Sequence, residues 1–435
     1  MRPLSADIER LKLSHPDYLR AAQDNLRWNF CFMTLDSATF SFAIAMLDPN
    51  TLLPTFVRNL TTAPIAFGVL AASYALGHFL PQLIGTHLAM GRVRRKPLYL
   101  AIALFERLGI LLIAISAQLV GLASRETVLI VFLMAVAFYA MTTGLMGPVS
   151  GDLVAKTIVR ARGTFYGGSQ LLGGAMGFGA AQLAQRLLAA NPFPAGQQLC
   201  FWLALAFSSL SFVFIAQFRE VPFPEQAPRE SLLVLLRSVP RVLREHAAYR
   251  WYIVGRGVLG LGTMGVGFVA ADALRQGFTA ADVALFASVY LGAQSVGGLA
   301  LGVIGDRSGF KLVAELGAIG AILAMFLALV ATNMVVFAAA FVLLGVVNAS
   351  WLTSDTNISI ETAPSTETSR FLGITNSLIA PAVTVAPLIG GVLAALVSYS
   401  FTFIVALLCS SLGLVVLAAR FEEPRRSTKA LASLE

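Results

Sequence analysis

The sequence predicts an all-α polytopic membrane protein with about twelve transmembrane helices. Two observations carry that prediction. Hydrophobic residues make up 57% of the 435 residues and charged ones only 12%, about half the charged share of a soluble domain. A water-soluble chain of this length would have too few charges to cover its surface. The charges are also sorted: with connections assigned alternately to two sides, 25 of the 31 Lys and Arg residues fall on one side and four on the other. Collagen-like, disordered and disulfide-rich classes are excluded by the same composition.

The expected spans are the apolar stretches near 28–47, 64–89, 98–120, 127–150, 164–185, 199–217, 252–271, 281–304, 312–332, 334–353, 371–397 and 400–419. The cation-rich side collects Arg2, Arg10, Lys12, Arg20 and Arg27, then Arg92, Arg94, Arg95 and Lys96, then Lys156, Arg160 and Arg162, and continues to Arg420, Arg425, Arg426 and Lys429. Only Arg58, Arg125, Arg186 and Arg275 fall opposite. Positive connections stay in the cytoplasm, so both termini are expected inside, in a plasma (inner) membrane. The net charge of +8 then reports orientation and contact with anionic lipid, not nucleic acid. Residues 1–27 read as a polar cytoplasmic tail, and no cleavable signal peptide is expected, because Asp7, Glu9, Asp17 and Asp24 stand where an apolar core would lie. Cys31, Cys200 and Cys409 fall in separate spans, so neither a disulfide nor a metal site is expected.

Residues 218–249 form the longest polar connection, with Pro222, Pro224 and Pro228 ahead of Leu232, Leu233, Leu236, Val239 and Leu243. Arg237, Arg241 and Arg244 recur there at helical spacing, which suits either an interfacial helix on an anionic leaflet or a solvated linker helix. Six spans precede this connection and six follow. Arg27-Trp28 opens the first set and Arg250-Trp251 the second; Phe165, Gly167 and Gln170 are matched by Phe371, Gly373 and Asn376. The expected organisation is a tail (1–27), a six-helix bundle (28–217), a linker (218–249), a second bundle (250–420) and a tail (421–435).

After the eighth span stand Gly302, Asp306, Arg307, Gly309 and Lys311. Their spacing resembles the loop signature of the major facilitator superfamily, which joins the second and third helices and again the eighth and ninth. In the first half Gly85 and the cluster Arg92, Arg94, Arg95 and Lys96 remain, but Ala89 or Met90 replaces the acid. The resemblance implies two six-helix bundles, a central cavity and alternating access by inward–outward rocking; a monomer is expected. The carboxylate of Asp306 suits the positive end of a neighbouring helix, and the start of the eleventh helix, near Arg370 and Phe371, is where it is expected. The fifth span, with Gly167, Gly168, Gly173, Gly174, Gly177 and Gly179, is similar to the glycine-rich fifth helix of drug–proton antiporters, without its proline; close helix packing is the simpler reading.

Ionisable side chains inside a span are costly and mark candidate sites. Asp36 lies near mid-depth of the first span, either as a proton or cation site or as a buried acid paired with Ser37 or a neighbouring helix. Glu106 and Arg107 are adjacent in the third span; about 100° separates them on a helix, so at least one is expected to reach another helix. Arg256 suits either an anionic partner or snorkelling to headgroups. Asp152 and Asp355 are expected at a gate or a solvated helix end, and His78 as a titrating or a packing histidine. Gln170, Gln294, Asn348 and Asn376 offer neutral hydrogen bonds. Trp28, Trp251 and Trp351 are expected as interfacial anchors.

No phosphate-binding glycine loop, His-Glu-x-x-His or Gly-x-Ser-x-Gly is present, so no ATP site, cofactor, metal or enzyme activity is expected. The expected function is secondary transport of a small molecule, with proton-coupled efflux of an amphipathic compound ahead of uptake. A membrane enzyme would need His or Asp clustered near one leaflet. A transporter-fold sensor is the rival from another class, with the basic linker helix as its partner contact.

Overall fold

The computed structural model describes residues 13–49, 52–61, 63–79, 81–225, 231–278, 280–364 and 366–424. Arg2, Arg10, Lys12, Pro228, Arg229, Arg425, Arg426 and Lys429 lie outside the described residues. The described residues are predominantly helical. A short α1 (Pro16–Asp24) leads into α2 (Leu26–Ala45), α3 (Leu52–Leu60), α4 (Pro64–Phe79), α5 (Gln82–Ala89), α6 (Lys96–Gln118), α7 (Arg125–Thr157), α8 (Arg162–Ala190) and α9 (Ala195–Ala216). Then follow α10 (Leu232–Glu245), α11 (Ala247–Leu261), α12 (Val266–Arg275), α13 (Ala280–Ser308), α14 (Phe310–Val330), α15 (Met334–Thr362), α16 (Thr368–Leu396) and α17 (Tyr399–Arg420). Among the described residues nine helical segments are long and apolar enough to cross a bilayer. With α2, the α4–α5 pair and α8 at the first, second and fifth expected positions, they complete the twelve.

Local chemistry explains the boundaries. Pro81, which cannot donate an N–H and clashes with the preceding turn, divides the second span into α4 and α5. A 3-10 turn, Gly262–Gly265, divides the seventh into α11 and α12. Ser124, Asn333 and Ser398 cap α7, α15 and α17, each accepting from a backbone N–H in the first turn. Helices α7 and α15 run well past the apolar stretches at 127–150 and 334–353, and their last turns carry polar residues that bond inside the protein, among them Thr157, Ser359 and Thr362. Asp152 and Asp355 lie in those turns.

Two compact units are present. One comprises Asp17–Val159 and Leu172–Leu232. In it α6, α4 and α5 pack on α7, and α9 packs on α2 and α6. Its core interlocks Phe56, Phe132 and Phe201, with ring centroids 4.5 to 6.1 Å apart. The other comprises Arg160–Leu171 and Leu233–Glu435, with the residues up to Pro16. There α13 and α14 pack on α15, α17 on α14 and α11, and α16 on α11; Phe286, Phe337 and Phe341 form its aromatic core. The first turns of α8 belong to this unit and meet α13 along a glycine seam. A Cβ built on Gly163 would overlap the Gly302 carbonyl, and one on Gly167 the Gly298 carbonyl. The seam is a Gly-x-x-x-Gly pair on each helix, which lets the two backbones touch.

Each unit also closes on itself with a glutamate. Glu220, just after α9, accepts from the backbone N–H of Arg95 (2.6 Å) and Lys96 (2.9 Å) at the start of α6. Glu423, just after α17, accepts from Lys311 N–H (2.9 Å) at the start of α14. The lysines answer in kind: Lys96 Nζ donates to the carbonyls of Ala216 and Phe218 and Lys311 Nζ to Ala418, at the ends of α9 and α17. Both exchanges place opposite charges at helix ends of matching sign. Burial pushes the Glu220 carboxyl up from the ordinary range, while the two N–H donors and the Arg95 charge pull it back. Trp28 lies under Arg219 (4.0 Å) and Trp251 under Arg420 (5.2 Å), so the internal repeat extends to these contacts. Gly309, at φ +96°, has a conformation that L side chains rarely adopt, and a Cβ there would meet the Glu423 carboxylate. Glu220→Ala and Glu423→Ala are each expected to cost about 1–2 kcal/mol, read as a lower thermal transition of the purified protein. The two losses should add, since the residues share no partner.

Candidate functional site

In the unit built on α6 and α7, the intramembrane charges form one group. Asp36 on α2 accepts from Ser211 on α9 through Oδ1 (2.5 Å) and from the Tyr99 hydroxyl through Oδ2 (3.4 Å). Arg107 donates through Nη2 to Ser211 Oγ (2.8 Å), through Nη1 to Glu106 (2.7 Å) and through Nε to the Ser208 carbonyl (3.0 Å). The guanidinium also lies beside the rings of Phe40 and Phe212, at 5.3 and 5.7 Å. Asp36, Glu106 and Arg107 are all buried, at 8%, 2% and 7% exposure. The expectation that at least one of Glu106 and Arg107 reaches another helix agrees with this geometry. Arg107 does reach another helix, but adjacent Glu106 and Arg107 also pair directly, because the arginine side chain is long enough to fold back across the gap. Asp36 pairs across helices, not with Ser37. Ser211 joins Asp36 to the Glu106–Arg107 pair and was not singled out from sequence.

For Asp152 one of the two expected placements, the solvated helix end, is overturned. It lies at no solvated end: it is fully buried and accepts from Arg95 Nε (2.8 Å) and Lys156 Nζ (2.6 Å). Arg95 and Lys156, counted from sequence as connection cations, are themselves buried, at 2% and 6% exposure. Phe223 covers both, with Arg95 and Lys156 5.8 and 4.7 Å from its ring. Tyr18 of α1 donates to the Lys156 carbonyl (2.9 Å).

In the other unit Arg256 does not snorkel. It is 5% exposed and donates through Nε to Asp355 Oδ1 and Oδ2, at 2.9 and 3.2 Å; the Tyr252 hydroxyl donates to the same carboxylate. The guanidinium covers the ring of Trp351 at 4.3 Å. Trp351 lies in the second half of α15. Arg256 Nη1 and Gln170 Oε1 are buried without a hydrogen-bond partner among the described residues. Gln170 donates through Nε2 to Thr353 Oγ1 (3.3 Å). Asn376 follows Thr375, whose hydroxyl meets those of Tyr249 and Ser359 at 2.7 Å each, a network of neutral groups unmarked in the sequence. His78 lies near the end of α4, where its backbone carbonyl touches Gly144 of α7.

The signature around Asp306 is helix more than loop. Gly302, Asp306 and Arg307 belong to α13, and Gly309 alone separates it from α14, which begins before Lys311. The Asp306 carboxylate accepts from the N–H groups of Gly163 (2.9 Å) and Thr164 (2.7 Å) and from Thr164 Oγ1 (2.7 Å). These bonds end on the start of α8, the fifth-span helix, and not on the eleventh as expected. The glycine seam explains the choice: it brings the first turn of α8 against α13 four residues before Asp306, so the acid meets that helix's unpaired N–H groups.

Residues 252–435 match the Major Facilitator Superfamily model, and no curated protein matches the chain. Similar solved structures include the E. coli fucose:proton symporter FucP (14% identity, TM-score 0.70, 91% of this chain and 100% of that one). The proton:xylose symporter XylE is similar at 14% identity and TM-score 0.71, covering 92% and 97%. The human organic anion transporter MFSD10 is similar at 15% identity and TM-score 0.69, covering 90% and 99%. The fold of the chain is that of these transporters, and its second half carries the superfamily's sequence pattern.

Proposed function

We propose that this chain, whose fold is that of the major facilitator superfamily, is a secondary transporter that carries a small molecule by alternating access and couples it to a proton held among Asp36, Glu106 and Arg107. The observation that carries the reading is the charge count of that group: two buried carboxylates face one guanidinium. An uncompensated charge inside a span is costly, and one bound proton makes the group neutral. Ser211 is the connector, because its hydroxyl donates to Asp36 while accepting from Arg107. Protonation of Asp36 weakens its hold on Ser211 and frees Arg107 to move with α6.

The proposed division of labour follows from placement. Gln170 and Arg256 are the substrate-contact candidates, since each keeps a buried polar atom without a partner; Asn376 and His78 are secondary ones. Asp306 is the latch on α8, and Asp152 and Asp355 hold the helix ends that carry them. The two six-span halves are the moving bodies, in an inner membrane with both termini in the cytoplasm, and the protein acts as a monomer in contact with lipid. Two of the similar structures are of proton symporters, a likeness that supports the proton reading. Of the fifth-span glycines on which the expectation of export rests, Gly167 packs against Gly298 and Gly173 against Ser41, while Gly168 and Gly179 meet nothing, so export and uptake are the two outcomes of one flux measurement.

Proteoliposomes carrying a pH gradient test the proposal, with a ligand taken from a thermal-shift screen. Ligand-dependent proton flux is expected, at least tenfold lower in Asp36→Asn while ligand counterflow persists. Equal proton flux in that variant removes Asp36 from coupling. Binding without counterflow in the unaltered protein leaves a sensor in place of a transporter.

A further inference from the structure

We infer that α10 is a seat for anionic phospholipid, with Arg237, Arg241 and Arg244 taking the headgroup phosphate and Leu233, Val234 and Leu236 entering the acyl boundary beside them. The helix is firmly mounted. Leu235, Ser238 and Val242 are buried, and Val242 joins a core with Tyr249, Tyr252, Phe371 and Phe421 against which Val239 and Leu243 also pack. The opposite face is open. Leu233, Val234 and Leu236 are 55%, 49% and 45% exposed, an apolar first turn that water alone would not favour.

The next two turns of the same face are cationic. On a helix projection Arg237, Arg241 and Arg244 fall within about 60° of one another, along roughly 10 Å of axis. They border, with Pro240 and Glu245, a shallow concavity of about 410 Å³. Three like charges at these spacings repel one another, and Glu245 is the one acid at the rim. A row of phosphates relieves that repulsion, and the adjoining apolar turn needs a hydrocarbon neighbour. One occupant supplies both: an anionic lipid in the leaflet that faces the cation-rich connections. Free phosphate satisfies only the arginines, and a neutral lipid only the leucines.

The test uses the full chain with Cys31, Cys200 and Cys409 replaced by Ser and a bimane fluorophore on Leu236→Cys. The protein is reconstituted in phosphatidylcholine vesicles, with and without one quarter phosphatidylglycerol. Aqueous iodide quenching is expected to fall about threefold when phosphatidylglycerol is present, while 10 mM inorganic phosphate leaves it unchanged. Joint substitution Arg237→Gln, Arg241→Gln and Arg244→Gln is expected to restore the phosphatidylcholine value. If that variant does not fold, Arg241→Gln alone is expected to weaken the phosphatidylglycerol dependence about fivefold, the worth of one cation near an anionic surface. Equal quenching in both vesicles leaves the face to a soluble partner and overturns the inference. Protection that survives loss of the arginines, or that inorganic phosphate reproduces, overturns it as well.

Discussion

Asp152→Ala is expected to cost the protein about 3–5 kcal/mol and most of its folded yield. The native carboxylate lies between Arg95 and Lys156, at 2.8 and 2.6 Å, and all three groups are buried. Removing it leaves two like charges facing each other away from water, the circumstance in which breaking an ion pair is most damaging. Phe223 closes the site from above, so water has no easy way in to compensate. Asp355→Asn is the control: its carboxylate keeps 21% exposure and faces one arginine, so a smaller loss is expected. Thermal unfolding and recovered monodisperse protein, measured side by side in detergent, decide it. A milder effect of Asp152→Ala than of Asp355→Asn would show that the buried triad is not what holds α6 to α7.

Gly302→Ala is the second large effect. The added methyl group would occupy the position of the Gly163 carbonyl, and backbone cannot move aside as a side-chain tip can. Helices α8 and α13 must separate locally, with an overpacking cost of about 1–3 kcal/mol. The three hydrogen bonds that Asp306 accepts from Gly163 and Thr164 are then out of reach, each worth a further 1 kcal/mol or so. Hydrogen exchange reads this at the site. The Gly163 and Thr164 amides are expected to exchange about a hundredfold faster in the variant, while amides in α6 keep their rates. Unchanged protection would mean that the seam absorbs a methyl group and that Asp306 holds α8 without it.

The contrast between these two regions shows what a linear reading captures. Hydropathy records depth in the bilayer, and on that basis Asp36, Glu106 and Arg107 stood out individually. Which way each points, and toward which helix, depends on packing, so their assembly through Ser211 was not visible; a serine in a span has no distinguishing mark. Arg95 and Lys156 were misplaced for a related reason. Charge near the end of an apolar stretch reads as connection, and only the extended α7 turns them inward. The acids Glu220 and Glu423 stand in polar segments where acids are unremarkable, although the recurrence of Phe218-Arg219-Glu220 and Phe421-Glu422-Glu423 was a usable signal. For Asp306 the motif was legible and its partner was not, because analogy between halves pointed to the eleventh helix while the glycine seam brings the fifth.

Because each glutamate clasp is formed wholly from residues of its own half, neither depends on residues 224–231, which follow Phe223. That tether can lengthen, shorten or change composition over evolutionary time without loosening either bundle. Sequence drift should therefore concentrate in it, and an affinity tag or reporter domain spliced there should leave both halves intact.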